Sequence, residues 1–194
     1  MVHWRGMVWL AVALIVTVPV IAAAFSPLLA WRSPVYIGAG LAGIIALALM
    51  FLQPVLIGFN GTLGLVRARA GTLHRMTGIG IVVAVFVHVA GLWVTSPPDV
   101  IDVLLFRSPT PFGVWGALAL WVILGAALVA LARRRLRWSP KRWRYTHAAL
   151  AILAVVASIL HTLLIEGTME TVSKVLLCGA LLVASGAAAW RMKR

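Results

Sequence analysis

The sequence has 194 residues, of which 63% are hydrophobic and 11% are charged, and it carries a formal net charge of +13. A soluble domain is only about half apolar, so this composition excludes an ordinary soluble protein and indicates a single membrane domain over residues 1–194. The positive charge lies between apolar runs, which is typical of a topology signal. We therefore expect contact with membrane lipid and no nucleic acid partner.

Six apolar runs follow one another along the chain, each near the length that crosses a hydrocarbon core of about 30 Å. We predict six transmembrane helices and an all-α fold, because the backbone groups of a segment in lipid must be satisfied within that segment. The expected spans are residues 7–25, 36–58, 73–95, 113–132, 146–165 and 172–190. The first run also resembles a signal peptide, but it is long for one, so a retained helix is favoured.

Most of the basic residues lie on one side of the predicted membrane. They precede the first span and follow the second, fourth and sixth: Arg5, residues 67–75, residues 133–144 and residues 191–194. Every acidic residue lies on the opposite side: Asp99, Asp102, Glu166 and Glu170. The positive-inside rule then places both termini in the cytoplasm, as expected for a multi-pass protein of a bacterial inner membrane.

Four of the five histidines fall within predicted spans, where ionisable residues are costly and usually functional. His74 and His88 lie in the third span, His147 and His161 lie in the fifth, and both pairs have a spacing of fourteen residues. This spacing puts the two members of a pair on nearly one helix face. It also separates them by about 21 Å, which is too far to share one metal ion.

The third and fifth spans run in the same direction, so the matched spacing predicts two histidines at each of two depths. His74 and His147 form the inner level, and His88 and His161 form the outer level. Each level offers two imidazoles, which are standard axial ligands of haem iron. The chain has no Cys-x-x-Cys-His motif, so the expected cofactor is a non-covalent haem b at each level.

Two arginines lie at the inner level, next to or near the predicted ligands: Arg75 and Arg144. Haem propionates are carboxylates and form strong charge-assisted hydrogen bonds with guanidinium groups. We therefore expect Arg75 and Arg144 to contribute to cofactor binding at the inner level.

The histidine pattern leaves two other functions open. Histidines within spans also act as helix–helix hydrogen-bond partners or as proton relays. One alternative is a cofactor-free, histidine-lined proton or solute transporter, although the two histidine-bearing spans are not broken by proline as transporter helices often are. The other is a haem-binding membrane chaperone or sensor that does not turn over.

Two stretches of the sequence resemble a known family. Residues 73–78 through His88, and residues 143–147 through His161, look like the ferric reductase-like transmembrane domain superfamily. The resemblance covers roughly residues 36–190. The superfamily includes ferric reductases, the membrane domain of NADPH oxidases, and the haem-binding membrane subunit of the periplasmic methionine sulfoxide reductase system.

The resemblance implies an iron-containing cytochrome b that acts as an oxidoreductase subunit in electron transport. It implies that His74 and His147 bind the inner haem and that His88 and His161 bind the outer haem. In the superfamily, electrons pass from a cytosolic flavin through both haems to an acceptor outside. The two-haem cytochrome b of quinol oxidoreductases has a similar four-histidine scheme, but no quinone pocket is identifiable in this sequence.

The sequence departs from the oxidases and ferric reductases in one respect. Those proteins have a flavin and nicotinamide domain after the last helix, whereas this sequence contains no Gly-x-Gly-x-x-Gly fingerprint with an acidic residue about twenty positions after it. We therefore expect a separate flavin reductase or a quinol as the donor, as in stand-alone bacterial members, and a periplasmic protein as a possible acceptor. The basic loop at residues 133–144 is a candidate docking surface, although lipid and topology explain it equally well.

Overall fold

The structure is a computed structural model that describes residues 2–193, and it is helical with no strands over that range. Its helices are α1 (Val2–Ala24), α2 (Pro34–Gly58), α3 (Arg67–Thr95), α4 (Pro97–Leu104), α5 (Pro111–Leu131), α6 (Pro140–Leu164) and α7 (Thr171–Lys193). Within the described residues, all but α4 are long and apolar enough to cross a membrane. The predicted all-α fold with six spans is confirmed. The cytoplasmic location of the termini stays a prediction, and Arg194, one of its charges, lies outside the described residues.

Several helices extend beyond the apolar runs that predicted them. The third and fifth spans were predicted from residues 73 and 146, but α3 begins at Arg67 and α6 at Pro140. Ser139 caps α6 because its hydroxyl accepts a hydrogen bond from the backbone N–H of Arg142 at 3.2 Å. The apolar run marks the hydrocarbon-crossing part of a helix, whereas the cap marks where the helix begins.

The short helix α4 was not predicted and lies between the third and fourth predicted spans. It begins with Pro97, a residue favoured in the first helical turn. The hydroxyl of Ser96 donates a hydrogen bond to the carboxylate of Asp99 just before it. With eight residues, α4 is far shorter than the roughly twenty that a membrane span requires.

The contacts of the chain group into two compact units. Unit 1 contains α1, α2, α3 and α7, and unit 2, residues 96–165, contains α4, α5 and α6. The single domain predicted over residues 1–194 stays a prediction.

In unit 1, α2 is the central helix and packs most extensively on α3, with further contacts to α1 and α7. Small residues allow this approach, as is usual between membrane helices: a Cβ added to Gly91 of α3 would lie 2.7 Å from the Cβ of Ala39. At one end of the unit, Arg191 donates a hydrogen bond to the carbonyl of Gly58 at 3.0 Å. Arg191, one of the basic residues that the sequence placed on one side, therefore contacts the end of α2.

In unit 2, α5 and α6 form a hairpin, and α4 packs on α5. The indole N–H of Trp143 on α6 donates to the carbonyl of Val129 on α5 at 3.3 Å, joining the start of α6 to the end of α5. The two acids of the unit, Asp99 and Asp102, lie on α4, before the start of α5. Most of the basic residues of this unit follow the last turn of α5, whereas both acids and Arg107 precede its first turn.

Candidate functional site

The imidazole of His88 on α3 turns towards α2. Its Nδ1 lies 2.8 Å from the carbonyl oxygen of Ala39. A carbonyl oxygen only accepts hydrogen bonds, so Nδ1 carries the proton and donates it, and Nε2 of the neutral ring keeps a lone pair. Gly43 lies beside this bond, and a Cβ added there would be 3.0 Å from Nδ1. The contact therefore fixes both the ring orientation and the tautomer of the imidazole.

His161 on α6 has the same environment in unit 2. Its Nδ1 lies 2.8 Å from the carbonyl oxygen of Phe112 on α5, and a Cβ added to Gly116 would be 2.7 Å from Nδ1. In both units the carbonyl belongs to the residue 49 positions before the histidine. Each of these residues in unit 2 stands 73 positions after its counterpart in unit 1, and α3 and α6 begin 73 positions apart. We call α2–α3 and α5–α6 the two histidine hairpins.

His74 lies near the start of α3 and is half-buried. The side-chain amide of Gln53 on α2 donates to the hydroxyl of Thr77 at 2.6 Å and to the carbonyl of His74 at 3.3 Å. The Thr77 hydroxyl in turn donates to the carbonyl of Leu73 at 2.9 Å. These bonds join α2 to the turn of α3 that carries His74, so they fix the depth and rotation of this candidate ligand.

Replacing Thr77 by valine is expected to destabilise the protein by about 0.6 kcal/mol, the average for hydrogen bonds between membrane helices. The change keeps the shape of the side chain but removes the hydroxyl that accepts from Gln53. Thr72→Val is the matched control, because the Thr72 hydroxyl is exposed and bonds only to Ala68 of its own helix. Unfolding in mixed micelles measures the difference, and equal stability of the two variants would contradict the role given to Gln53.

The environment of His147 on α6 includes aromatic and basic side chains. The imidazole is stacked on the indole of Trp143 with ring centroids 5.2 Å apart and an interplanar angle of 6°. The guanidinium carbon of Arg133 lies 4.4 Å from the centroid of Trp143. The Trp143 N–H is also bonded to α5, so the stack fixes the His147 ring at the basic end of unit 2.

Arg75 and Arg144, the predicted propionate partners, are both exposed. Arg75 follows His74 on α3. Arg144 lines an open groove of about 460 Å³ in unit 2, together with Arg133, Pro140, Lys141 and Trp143. The groove is strongly basic, and it contacts His147 through the stacked Trp143. Binding of haem propionates by the two arginines stays a prediction.

The four candidate ligands are divided equally between the units. His74 and His88 belong to unit 1, and His147 and His161 belong to unit 2. Each predicted pair takes one histidine from each unit, so the pairing of the ligands stays a prediction. Over residues 2–193, no group of three or more His, Cys, Asp or Glu side chains is placed to hold a metal ion.

Sequence reasoning missed the residues that hold the imidazoles. Ala39 and Phe112 act through backbone carbonyls, which every residue has, so no side-chain pattern marks them. Gly43 and Gly116 did carry a signal, because they are separated by the same 73 positions as the histidine pairs. Comparing the two histidine spans with their preceding spans would have revealed this repeat.

The model of a known family matches this sequence. The model of the family described as ferric reductase like transmembrane component matches residues 39–158, more than half of the chain. The chain belongs to this family. The matched segment includes His74, His88 and His147 and ends shortly before His161. Searches of curated proteins and of solved structures gave no match.

Membership of the ferric reductase-like family supports a general role in membrane electron transfer and an oxidoreductase type of activity. The six apolar helices and the family together identify a multi-pass integral membrane protein. His161 lies outside the matched segment, but it repeats the hydrogen bond and glycine contact of His88. We therefore keep all four histidines as candidate ligands.

Proposed function

We propose that this chain is a di-haem b subunit that carries electrons across the membrane. In this proposal His74 and His147 bind an inner haem, and His88 and His161 bind an outer haem. The donor is a separate flavin reductase or a quinol on the cytoplasmic side, and the acceptor lies on the outer side. Haem iron supplies the reversible one-electron chemistry, while the protein provides binding, orientation and electrostatics.

The observation that carries this proposal is the matched pair of hydrogen bonds made by His88 and His161. Each Nδ1 donates to a backbone carbonyl at 2.8 Å. Metal-bound histidines almost always donate their second ring N–H in this way, because the bond selects the tautomer and holds the ring. The two rings therefore have the proton distribution and the fixed orientation that an axial haem ligand requires.

The same bonds argue against a proton pathway, the main alternative. A relay histidine must take up a proton on one ring nitrogen and release one from the other. In His88 and His161 the Nδ1 proton is held by a carbonyl of a regular helix, and an amide carbonyl does not pass the proton on. This arrangement suits a fixed ligand better than a residue that exchanges protons.

The basic end of unit 2 supports a negatively charged donor at the inner side. Arg133, Lys141 and Arg144 line one open groove near the C-terminal end of α5. Both acids of unit 2 lie on α4, before the N-terminal end of α5. A positive surface of this kind attracts an acidic partner and raises its association rate. We propose that an acidic flavin reductase docks there, close to Trp143 and the stacked ring of His147.

A visible spectrum of the detergent-purified protein, oxidised and reduced, tests the proposal when haem is also quantified per chain. We expect the spectrum of a low-spin haem b and two haems per chain. A colourless preparation from haem-replete cells would instead support the cofactor-free transporter. A preparation that never exceeds one haem per chain would contradict the di-haem assignment.

A further inference from the structure

Two glycines contact the rings of the proposed outer ligands. A Cβ added to Gly43 would have the Nδ1 and Cε1 atoms of His88 as its nearest neighbours, at 3.0 and 3.2 Å. A Cβ added to Gly116 would have the same two atoms of His161 as its nearest neighbours, at 2.7 and 2.9 Å. In each histidine hairpin, a helix position beside the ring is therefore one without a side chain.

Helix geometry explains why a glycine is needed at these positions. Gly43 and Gly116 each lie four residues after the residue whose carbonyl binds the histidine, Ala39 or Phe112. In an α-helix that carbonyl already accepts the N–H of the residue four positions later. Side chains tilt towards the helix N-terminus, so a Cβ on that later residue lies over the carbonyl. Without a Cβ, the imidazole reaches the second lone pair of the oxygen.

Ordinary close packing of helices does not account for these two contacts. Gly91 and Gly58 illustrate such packing, since an added Cβ would meet the Cβ and Cα atoms of an alanine on the neighbouring helix. At Gly43 and Gly116 the three nearest atoms all belong to an imidazole. Other glycines on the same two helices, Gly38 on α2 and Gly125 on α5, have no atom within 4 Å of an added Cβ.

We propose that Gly43 and Gly116 are positioning residues of the outer haem site. Each leaves a helix carbonyl open to the Nδ1–H of its histidine and so fixes the plane of the ring and directs Nε2 to the iron. This inference deepens the proposed function and rests on it for the identity of the metal. Each histidine hairpin holds one ring by the same two elements, a helix carbonyl and a glycine.

The clearances predict graded effects of adding a single methyl group. Gly116→Ala introduces a contact of 2.7 Å, which forces the His161 ring to move, whereas Gly43→Ala introduces one of 3.0 Å, which a shift of a few tenths of an ångström relieves. Gly38→Ala and Gly125→Ala are the matched controls. They make the same change, which by itself favours the helix by about 1 kcal/mol, without touching a ring.

Electron paramagnetic resonance of the ferric holoprotein tests the proposal, because the low-spin signal depends on the orientation of the axial imidazoles. We expect Gly116→Ala to shift the signal of one haem strongly, Gly43→Ala to shift the same signal less, and the controls to leave both signals in place. Equal spectra for Gly116→Ala and Gly125→Ala, or a change of both haems together, would overturn the proposal. Gly43→Ala, which needs little rearrangement, keeps the test available if Gly116→Ala does not fold.

Nitrogen NMR of protein with ¹⁵N-labelled histidine separates this inference from the proposed function. In wild type we expect the Nδ1 atoms of His88 and His161 to be protonated and hydrogen-bonded whether or not haem is bound, and we expect Gly116→Ala to weaken this signature for His161. A preparation without haem would contradict the proposed function and leave this NMR result measurable. If both glycine variants kept the protonated, hydrogen-bonded Nδ1 of wild type, the positioning role would be contradicted and the proposed function would not be.

Discussion

Replacing His88 by alanine is expected to remove one of two haems and to leave the other in place. The variant loses the Nε2 ligand and also the bond that holds the ring on Ala39. His161→Ala is expected to lose the same haem, because the two rings are proposed to bind one iron. Haem per chain, measured after extraction, should fall from two to one in both variants. His3→Ala is the control, because His3 is exposed at the start of α1 and lies outside the paired pattern.

Double variants test which histidines share a haem. If His88 and His161 bind the same iron, the variant His88→Ala/His161→Ala keeps one haem, as each single variant does. If the proposed pairing is correct, His88→Ala/His147→Ala disrupts both sites and keeps none. These outcomes follow because variants that remove one shared site do not add, whereas variants at separate sites do. One haem retained in the second double variant and none in the first would show that the pairing is wrong.

The membrane-crossing part of the fold was predictable because it depends on an averaged property. A run of about twenty apolar residues identifies a span without regard to the order of the residues within it. Helix ends depend instead on single residues, such as Ser139 at the start of α6. The helix α4 is short and has an acidic first turn, so it has no apolar run that could predict it. Its Ser-Pro-Pro start also reads as a turn.

The candidate site was predictable only in part, for a related reason. His74, His88, His147 and His161 stand out because ionisable residues are rare in spans. The groups that orient them depend on the rotation and register of neighbouring helices, which a single sequence does not specify. Gln53 illustrates this, since its role follows from facing the Thr77 hydroxyl across α2 and α3. The stack of Trp143 on His147 is local, one turn apart on α6, and the spacing was therefore available in the sequence.

Wild-type protein reconstituted into sealed vesicles is expected to carry electrons from a trapped reductant to ferricyanide outside. The variant His88→Ala/His161→Ala should slow this transfer on the order of tenfold or more. Without the outer haem, electrons must cross the distance of about 21 Å that separates the two histidine levels along a helix. The rate of ferricyanide reduction measures the effect, and the remaining haem should still be reduced by the trapped donor. His3→Ala vesicles, matched for protein content, control for leakage.

The vesicle experiment also separates the proposed function from its alternatives by outcome. A transporter without cofactor would move protons or solute and leave ferricyanide unreduced, because it has no redox centre. A haem-binding sensor or chaperone would contain both haems and still transfer electrons slowly or not at all. Transfer at the wild-type rate in the double variant would contradict a relay through the His88–His161 level. A two-level relay requires that electron transfer to ferricyanide depend on His88 and His161, and that reduction of the inner haem not depend on them.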